Sequence, residues 1–262
     1  MKKHVLALSL LAVLVNFSSC TNETKNKDEK ETYSSGSASV FVEESIVPIF
    51  GAVTEMFQFT YENAKITTVS KSENEIVNLL LKDSVQLAVI PRKLTTNELK
   101  HFEGKKVVNM TAFAKDAIIF VSNKESNDSL IDVKMIFDLI KNPEAKSDKV
   151  IVFDNINSSL VQFFKEKAGV DSFGKNVYFA KDTKEVIEYT SKNNKAIGVV
   201  GINWLLQPNE EISKWKESIK SLKVLSDKDK NYYLPTQSNI ANGNYPLIRE
   251  LFIIDAQGKS GL

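Results

Sequence analysis

Residues 150–169 read V-I-V-F-D-N-I-N-S-S-L-V-Q-F-F-K-E-K-A-G. The run 150–153 is apolar and of strand length, 159–167 follows a helical pattern, and Gly169 stops it. A buried strand that passes through a polar turn into a helix is half of a βαβ unit. The turn itself carries more hydrogen-bonding groups than a connector needs. Asn155, Asn157, Ser158 and Ser159 stand there together, whereas one cap, from Asn157 or Ser158, is enough for the helix. The surplus leaves two readings open: an over-polar helix cap, or a site that holds an anion.

The same alternation extends in both directions. Upstream, 38–42 is β-prone, and Ile46, Ile49, Phe50, Val53, Phe57 and Thr60 share one helical face. Pro48 fits only a first turn, so that helix is expected to begin near Glu44 and Ser45. A strand is expected at 65–69, then Ser72 and Glu75 form a capping box before a helix at 76–82. A strand at 85–90 ends at Pro91-Arg92, a helix follows at 95–102, and two strands are expected near 107–113 and 117–121. Downstream of a helix at 130–141 and the opening stretch come a strand at 177–179 and a helix at 183–191. A strand at 196–200 closed by Gly201 follows, with late strands at 219–225 and 251–254. Strands alternating with helices indicate an α/β fold with mostly parallel sheets flanked by helices.

The chain has 262 residues, 42% apolar and 26% charged, within the range of ordinary globular proteins. A net charge of +1 gives no basic surface suited to nucleic acid. The two histidines are His4 and His101 and the single cysteine is Cys20, which excludes a conventional zinc cluster and an intrachain disulfide. No metal or cofactor is expected. Gly258-Lys259-Ser260 resembles the end of a P-loop, but Ile253 stands where that motif needs glycine. His101 lies in a Lys- and Glu-rich stretch and reads as a solvated helix residue. Trp204, Trp215 and the Tyr232-Tyr233 pair read as core and hinge packing rather than a sugar-stacking surface. No enzymatic constellation emerges.

Lys2 and Lys3 precede an apolar run at 5–15, shorter than a spanning helix needs. Phe17-Ser18-Ser19-Cys20 is similar to a bacterial lipobox, with Phe17 where Leu is commoner. The similarity implies a signal peptide at 1–19, cleavage before Cys20 and acylation of that residue. Loss of Lys2 and Lys3 leaves a net charge of −1. Residues 20–37 are then expected to be the acylated cysteine and a polar tether, too poor in apolar groups to offset chain entropy.

Five segments carry a wider resemblance: S-V-F-V-E-E-S-I-V-P-I-F (39–50), D-S-V-Q-L-A-V-I-P-R-K-L-T (83–95), F-D-N-I-N-S-S-L-V-Q-F-F (153–164), A-I-G-V-V-G (196–201) and Y-P-L-I-R-E-L-F-I-I (245–254). Together they resemble the periplasmic phosphate-binding proteins of bacterial ABC importers, above all a branch of short lipoprotein forms. The resemblance implies a two-lobed, type II periplasmic binding protein-like fold with two hinge crossings. Lobe one is then expected at 38–114 plus 204–262 and lobe two at 115–203. Family members usually continue past a stretch like 258–262 into a last helix, so lobe one is expected to be truncated at its C-terminal end. The implied protein is an exported monomer, lipid-anchored to the cell envelope on the periplasmic side or at the outer membrane. It captures inorganic phosphate or a similar tetrahedral oxyanion and delivers it to ABC permease subunits. The alternative is an accessory or sensory lipoprotein that keeps the fold without serving transport.

With that resemblance, Asn155, Asn157, Ser158 and Ser159 become the lobe-two half of an oxyanion site. Unpartnered N–H groups and a partial positive charge at a helix N-terminus favour anions there. The lobe-one half is expected from Glu44 and Ser45, and from Arg92, whose guanidinium can grip two oxygens. A surface salt bridge is the other reading of Arg92. Glu43 or Glu44 can accept a proton that hydrogenphosphate has and sulfate lacks, or can simply be a solvated acid at a helix start. Ser70 and Ser72 are weaker candidates. Gln162 stands where the short forms often carry Arg, which implies weaker phosphate binding or a different anion.

Overall fold

The computed structural model describes residues 32–142, 144–145 and 147–257. The expected signal peptide, Cys20, most of the tether and the 258–262 stretch lie outside the described residues.

Two periodicities build the first half. β1 (Gly36–Glu43) begins two residues before the expected strand. A short 3₁₀ turn at Glu44–Ile46 leads into α1 (Val47–Thr60), with Pro48 in the first turn where its missing N–H costs nothing. β2 (Ala64–Lys71), α2 (Glu73–Leu81), β3 (Leu87–Ile90) and α3 (Thr96–Lys100) follow. The Ser72–Glu75 capping box forms as expected, and Thr95–Glu98 makes a second one at α3.

The next element differs from expectation. The two strands anticipated near 107–113 and 117–121 are one continuous strand, β4 (Asn109–Asn123). The charged pair Lys115-Asp116 reads as a break, yet Asp116 is buried and the ladder runs straight through it. The expected helix at 130–141 is shortened by a two-residue strand, β5 (Leu130–Ile131), before α4 (Val133–Lys141). Then come β6 (Val150–Phe153), α5 (Ser159–Ala168), β7 (Val177–Phe179), α6 (Thr183–Lys192) and β8 (Ala196–Gly201). Gly169 ends α5 in the left-handed region at φ 67°, which glycine enters without steric cost. The last part contains short helices that the periodicity did not reveal: α7 (Asn203–Leu206), α8 (Glu210–Lys216) and α9 (Gln237–Ala241). Among them lie β9 (Ile219–Ser221), β10 (Lys223–Leu225) and β11 (Tyr232–Tyr233), and β12 (Ile248–Asp255) closes the series.

These strands form two sheets that share β4. In the first, the order is β2-β1-β3-β12-β4; in the second, β8, β6 and β7 continue from the far part of β4, with β9 also on β4. The outer pairs β1–β2, β1–β3, β6–β7 and β6–β8 are parallel, while β12 and β4 run antiparallel to their neighbours. A small third sheet joins β11, β10 and β5. The chain passes between the large sheets at 116–118 within β4 and at 247–248 on entry to β12. The two crossings touch: Ile118 N–H donates to the Leu247 carbonyl at 2.9 Å. β9, expected within lobe one, pairs with the second-sheet part of β4, and Trp204, Ile212 and Tyr245 join the core of that half.

The second half has a large core in which Phe164 of α5 is fully buried. Its ring lies 5.1 Å from Phe153, 5.8 Å from Phe137 and 6.0 Å from Phe120, with edge or tilted geometry. Such packing stabilises beyond the area buried and fixes the start of α5 against β6. In the first half Phe50 of α1 joins Val42 and Val89 in one cluster and Ile76 and Leu80 of α2 join Ala88 and Ile90 in another, so the two helices cover opposite faces of the sheet.

Candidate functional site

The C-terminal end of β1 and the N-terminus of α5 meet between the two sheets. At their junction Glu43, Ser45, Asp116, Ser159, Asn203 and Arg249 are all buried. β1 ends at Glu43 because the next residues turn into the 3₁₀ segment, with the Glu43 side chain capping it: the Ser45 N–H donates to Glu43 Oε2 at 3.0 Å. The Ser45 hydroxyl donates to the same oxygen. From the other half, the Ser159 N–H at the start of α5 donates to Glu43 Oε1 at 3.2 Å. A carboxylate of this chain therefore sits where a helix N-terminus and a strand-end turn both present donors.

Arg249, on β12, supplies the cation. Its Nη1 donates to Ser159 Oγ at 2.9 Å and its Nη2 to Ser45 Oγ at 2.8 Å. Nε and Nη2 donate to Asp116 Oδ2 at 3.0 and 2.7 Å. The two hydroxyls lie 3.2 Å apart. Because the Ser45 proton goes to Glu43, the Ser159 hydroxyl is the donor between them. The result is one directed chain, Arg249 to Ser159 to Ser45 to Glu43, that polarises every member toward the carboxylate.

Neighbouring groups hold this frame. The Ser45 carbonyl accepts from Asn203 Nδ2 at 2.9 Å and from Trp204 Nε1 at 3.0 Å, and Asn203 Nδ2 also reaches Asp116 Oδ1 at 3.2 Å. Asn203 Oδ1 is buried without a partner. Gly201 is required by closeness: a Cβ there would lie 2.6 Å from Asn203 Nδ2, 2.9 Å from Asp116 Oδ2 and 3.1 Å from the Ser45 carbonyl.

Two further acids shape the electrostatics. Glu44 receives a backbone hydrogen bond from Thr183 at the start of α6, so adjacent glutamates of one strand end reach the starts of two helices in the other half. Burial, then the charges of Glu43 and Asp182, push the Glu44 carboxyl up to about 7. Asp154 is fully buried at the end of β6, and burial followed by the Glu43 charge raises it well above the usual carboxylate range. One of its oxygens accepts from the Ser158 hydroxyl and the other has no partner.

The residues expected at the site divide clearly. Ser45 and Ser159 meet at its centre, and Glu44 lies beside it. Ser158 is buried but acts as the cap of α5, accepting from the Val161 N–H at 3.3 Å. Asn155 closes the turn by accepting from the Asn157 N–H at 2.9 Å, and Asn157 is exposed. Arg92 gives Nε to Glu73 at 2.7 Å, and Nη1 and Nη2 to Glu98 at 2.8 and 2.9 Å. Its burial is outweighed by these bonds, which hold the guanidinium above its usual range. Arg92 still lines a cavity of about 80 Å³ beside the cluster, with Glu73, Ser159, Gln162 and Arg249, room for several waters. Ser70 is exposed on β2 and Ser72 is occupied in its capping box. His101 is exposed, Trp204 is buried as expected, and Tyr232, expected in packing, is 40% exposed. Asp116, Asn203 and Arg249 were not anticipated as site residues. Arg249 had a signal, as the one cation in the apolar run I-R-E-L-F-I-I. Among the described residues no group of His, Cys, Asp and Glu is suited to hold a metal.

With this geometry in view, comparison with known proteins is informative. The model of the PBP superfamily domain matches residues 28–262. No curated protein gives a significant match. Among solved structures, one described as a phosphate ABC transporter substrate-binding protein with bound phosphate, from Clostridium perfringens, superposes with a TM-score of 0.67 at 16% identity, over 85% of this chain and 87% of that one. An ABC-type phosphate transport receptor from Vibrio cholerae gives 0.60 at 16% identity, over 85% and 88%. The CcmR regulatory domain of Synechocystis, in complex with 2-PG, gives 0.56 at 12% identity, over 87% and 90%. At such identities these likenesses concern the fold, and the fold is the two-lobed α/β type expected from the sequence. The domain match spans nearly all of the described chain, and by it the protein belongs to the PBP superfamily.

Proposed function

We propose that the protein is an extracytoplasmic solute-binding protein that captures inorganic phosphate, or a similar tetrahedral oxyanion, between its two halves and passes it to an ABC permease. One observation carries this reading. The Ser45 N–H and hydroxyl and the Ser159 N–H converge from both halves on one buried carboxylate, with Arg249 and the Ser159 hydroxyl bonded behind them, an arrangement that supports reading the junction as an oxyanion site. Dipoles fixed in this way replace the water shell of an anion without reorganising. The lobes divide where β4 and β12 cross, so closing them brings Ser45 and Ser159 together. Attachment through an acylated Cys20 keeps the protein near the permease, since acyl chains contribute about 0.8 kcal/mol per buried methylene. Among the described residues no helix is long and apolar enough to cross a membrane. No chemistry is done on the ligand in this reading.

The neighbours whose names include phosphate support the choice of anion. Isothermal titration of the purified protein with phosphate, sulfate and molybdate tests it. Phosphate is expected to bind, and heat from none of the three refutes the reading. A second reading, an accessory or sensory protein outside transport, is favoured by the Glu43 carboxylate already on the donors and by Gln162 in the adjoining cavity. Phosphate uptake by cells lacking the gene separates the two: unchanged uptake, with binding intact, favours the sensor.

A further inference from the structure

Resting on the reading of this junction as an anion pocket, we propose that Glu43 is an internal ligand of that pocket, a carboxylate delivered by β1 onto donors that any external oxyanion has to take over. Glu43 then determines both which anions enter and how tightly they are held.

A cap for the 44–46 turn is too small a role for this side chain. Capping needs one bond within the turn, and the Ser45 N–H provides it at 3.0 Å. Glu43 Oε1 is turned instead to the Ser159 N–H, 116 positions away in sequence, at the start of a ten-residue helix in the other half. Both oxygens are therefore engaged, one on each half. Glu43 is fully buried and has no cation in direct contact; Arg249 reaches it through the serine hydroxyls. A buried carboxylate in that position is held only because the donors meant for an anion are turned toward it.

The consequence is competition. An incoming dianion cannot share three donors with a carboxylate of like charge, so Glu43 has to swing out before the anion is seated. An intramolecular competitor acts at a high effective concentration, and it weakens the observed affinity by the fraction of molecules in which it is bound. Small monoanions that match a carboxylate in shape should fit the vacated place once the side chain is removed.

The test compares the wild-type protein with Glu43→Ala and Glu43→Gln, using inorganic phosphate by isothermal titration and sodium formate by thermal shift, with sodium chloride at matched ionic strength. Expected are at least tenfold tighter phosphate binding by Glu43→Ala and a formate-dependent rise in Tm that wild type lacks. Where Glu43→Ala does not fold, Glu43→Gln, which keeps the volume and loses the charge, decides by the same comparison. Variants that bind phosphate no tighter than wild type overturn the inference and leave the phosphate reading standing. Formate stabilisation of Glu43→Ala without phosphate binding by any form supports the inference and removes the phosphate reading.

Discussion

Replacing Arg249 with methionine removes the cation on which the junction is built. The substitution keeps most of the side-chain volume and deletes four hydrogen bonds, two to Asp116 and one to each serine. Asp116 is 1% exposed and retains Asn203 Nδ2 at 3.2 Å as its partner among these groups, so a charge is left buried with little compensation. Breaking one side of such a pair costs about 3–5 kcal/mol. For a protein of this size each kcal/mol lowers Tm by about 2–4 °C, which gives a fall of about 6–20 °C. The decisive control is the double variant with Asp116→Asn. If the loss comes from the stranded carboxylate, removing that charge restores about half of it, a coupling of 1 kcal/mol or more. Urea unfolding followed through Trp204, which lies against the Ser45 carbonyl, measures both. A cost below about 1 kcal/mol for Arg249→Met, or a double variant no more stable than the single one, refutes the view that this cross-strand ion pair of β4 and β12 stabilises the junction.

Three other outcomes follow from the geometry. Gly201→Ala forces a methyl group against Asn203, Asp116 and the Ser45 carbonyl; a loss of about 1–3 kcal/mol is expected in thermal melts, with weakened anion binding by titration. Glu44 carries its proton to about 7 in the folded protein, against 4.5 as the ordinary value. The folded state thus binds more protons than the unfolded chain between those values, and stability falls as pH rises from about 4.5 to about 7 and then levels. The whole shift corresponds to ~3.4 kcal/mol, reduced to about 1–2 kcal/mol by solvent around the exposed part. Urea unfolding at pH 5 and pH 8 is expected to show stability falling with pH in wild type and falling less in Glu44→Gln, with Asp154 and Glu73, both also raised by burial, supplying the remainder. Phe164→Ala empties the centre of the second core and is expected to cost about 3–5 kcal/mol, read as a lower urea midpoint with an unchanged m-value.

The parts of the fold that were legible from sequence are those with strong local periodicity. The strand–turn–helix at 150–169 falls almost residue for residue on β6 and α5, because apolar runs and Gly169 mark each end. β4 was less readable, since Lys115 and Asp116 resemble a turn and the partner that neutralises Asp116 is 133 residues away. The same distance hid most of the site. Ser45 and Ser159 announce themselves at element starts, where unpartnered N–H groups are predictable. Arg249, Asp116 and Asn203 lie at positions whose meaning depends on which strands become neighbours. Arg92 shows the converse: its turn looks suited to an anion, but Glu98, six residues on, and Glu73, 19 residues back, take its donors. The short helices α7, α8 and α9 span four, seven and five residues, too few for a period to stand out.

The continuity of β4 has a mechanical consequence. A fifteen-residue ribbon is hydrogen-bonded to β12 along its first part and to β8 along its second, with no loop between. Nothing in it can pivot freely; the gap between the halves widens only as far as a paired ribbon twists and flexes near 116–118. Such a spine makes any swing of one half against the other narrow, because the ladders on both sides of the crossing resist it.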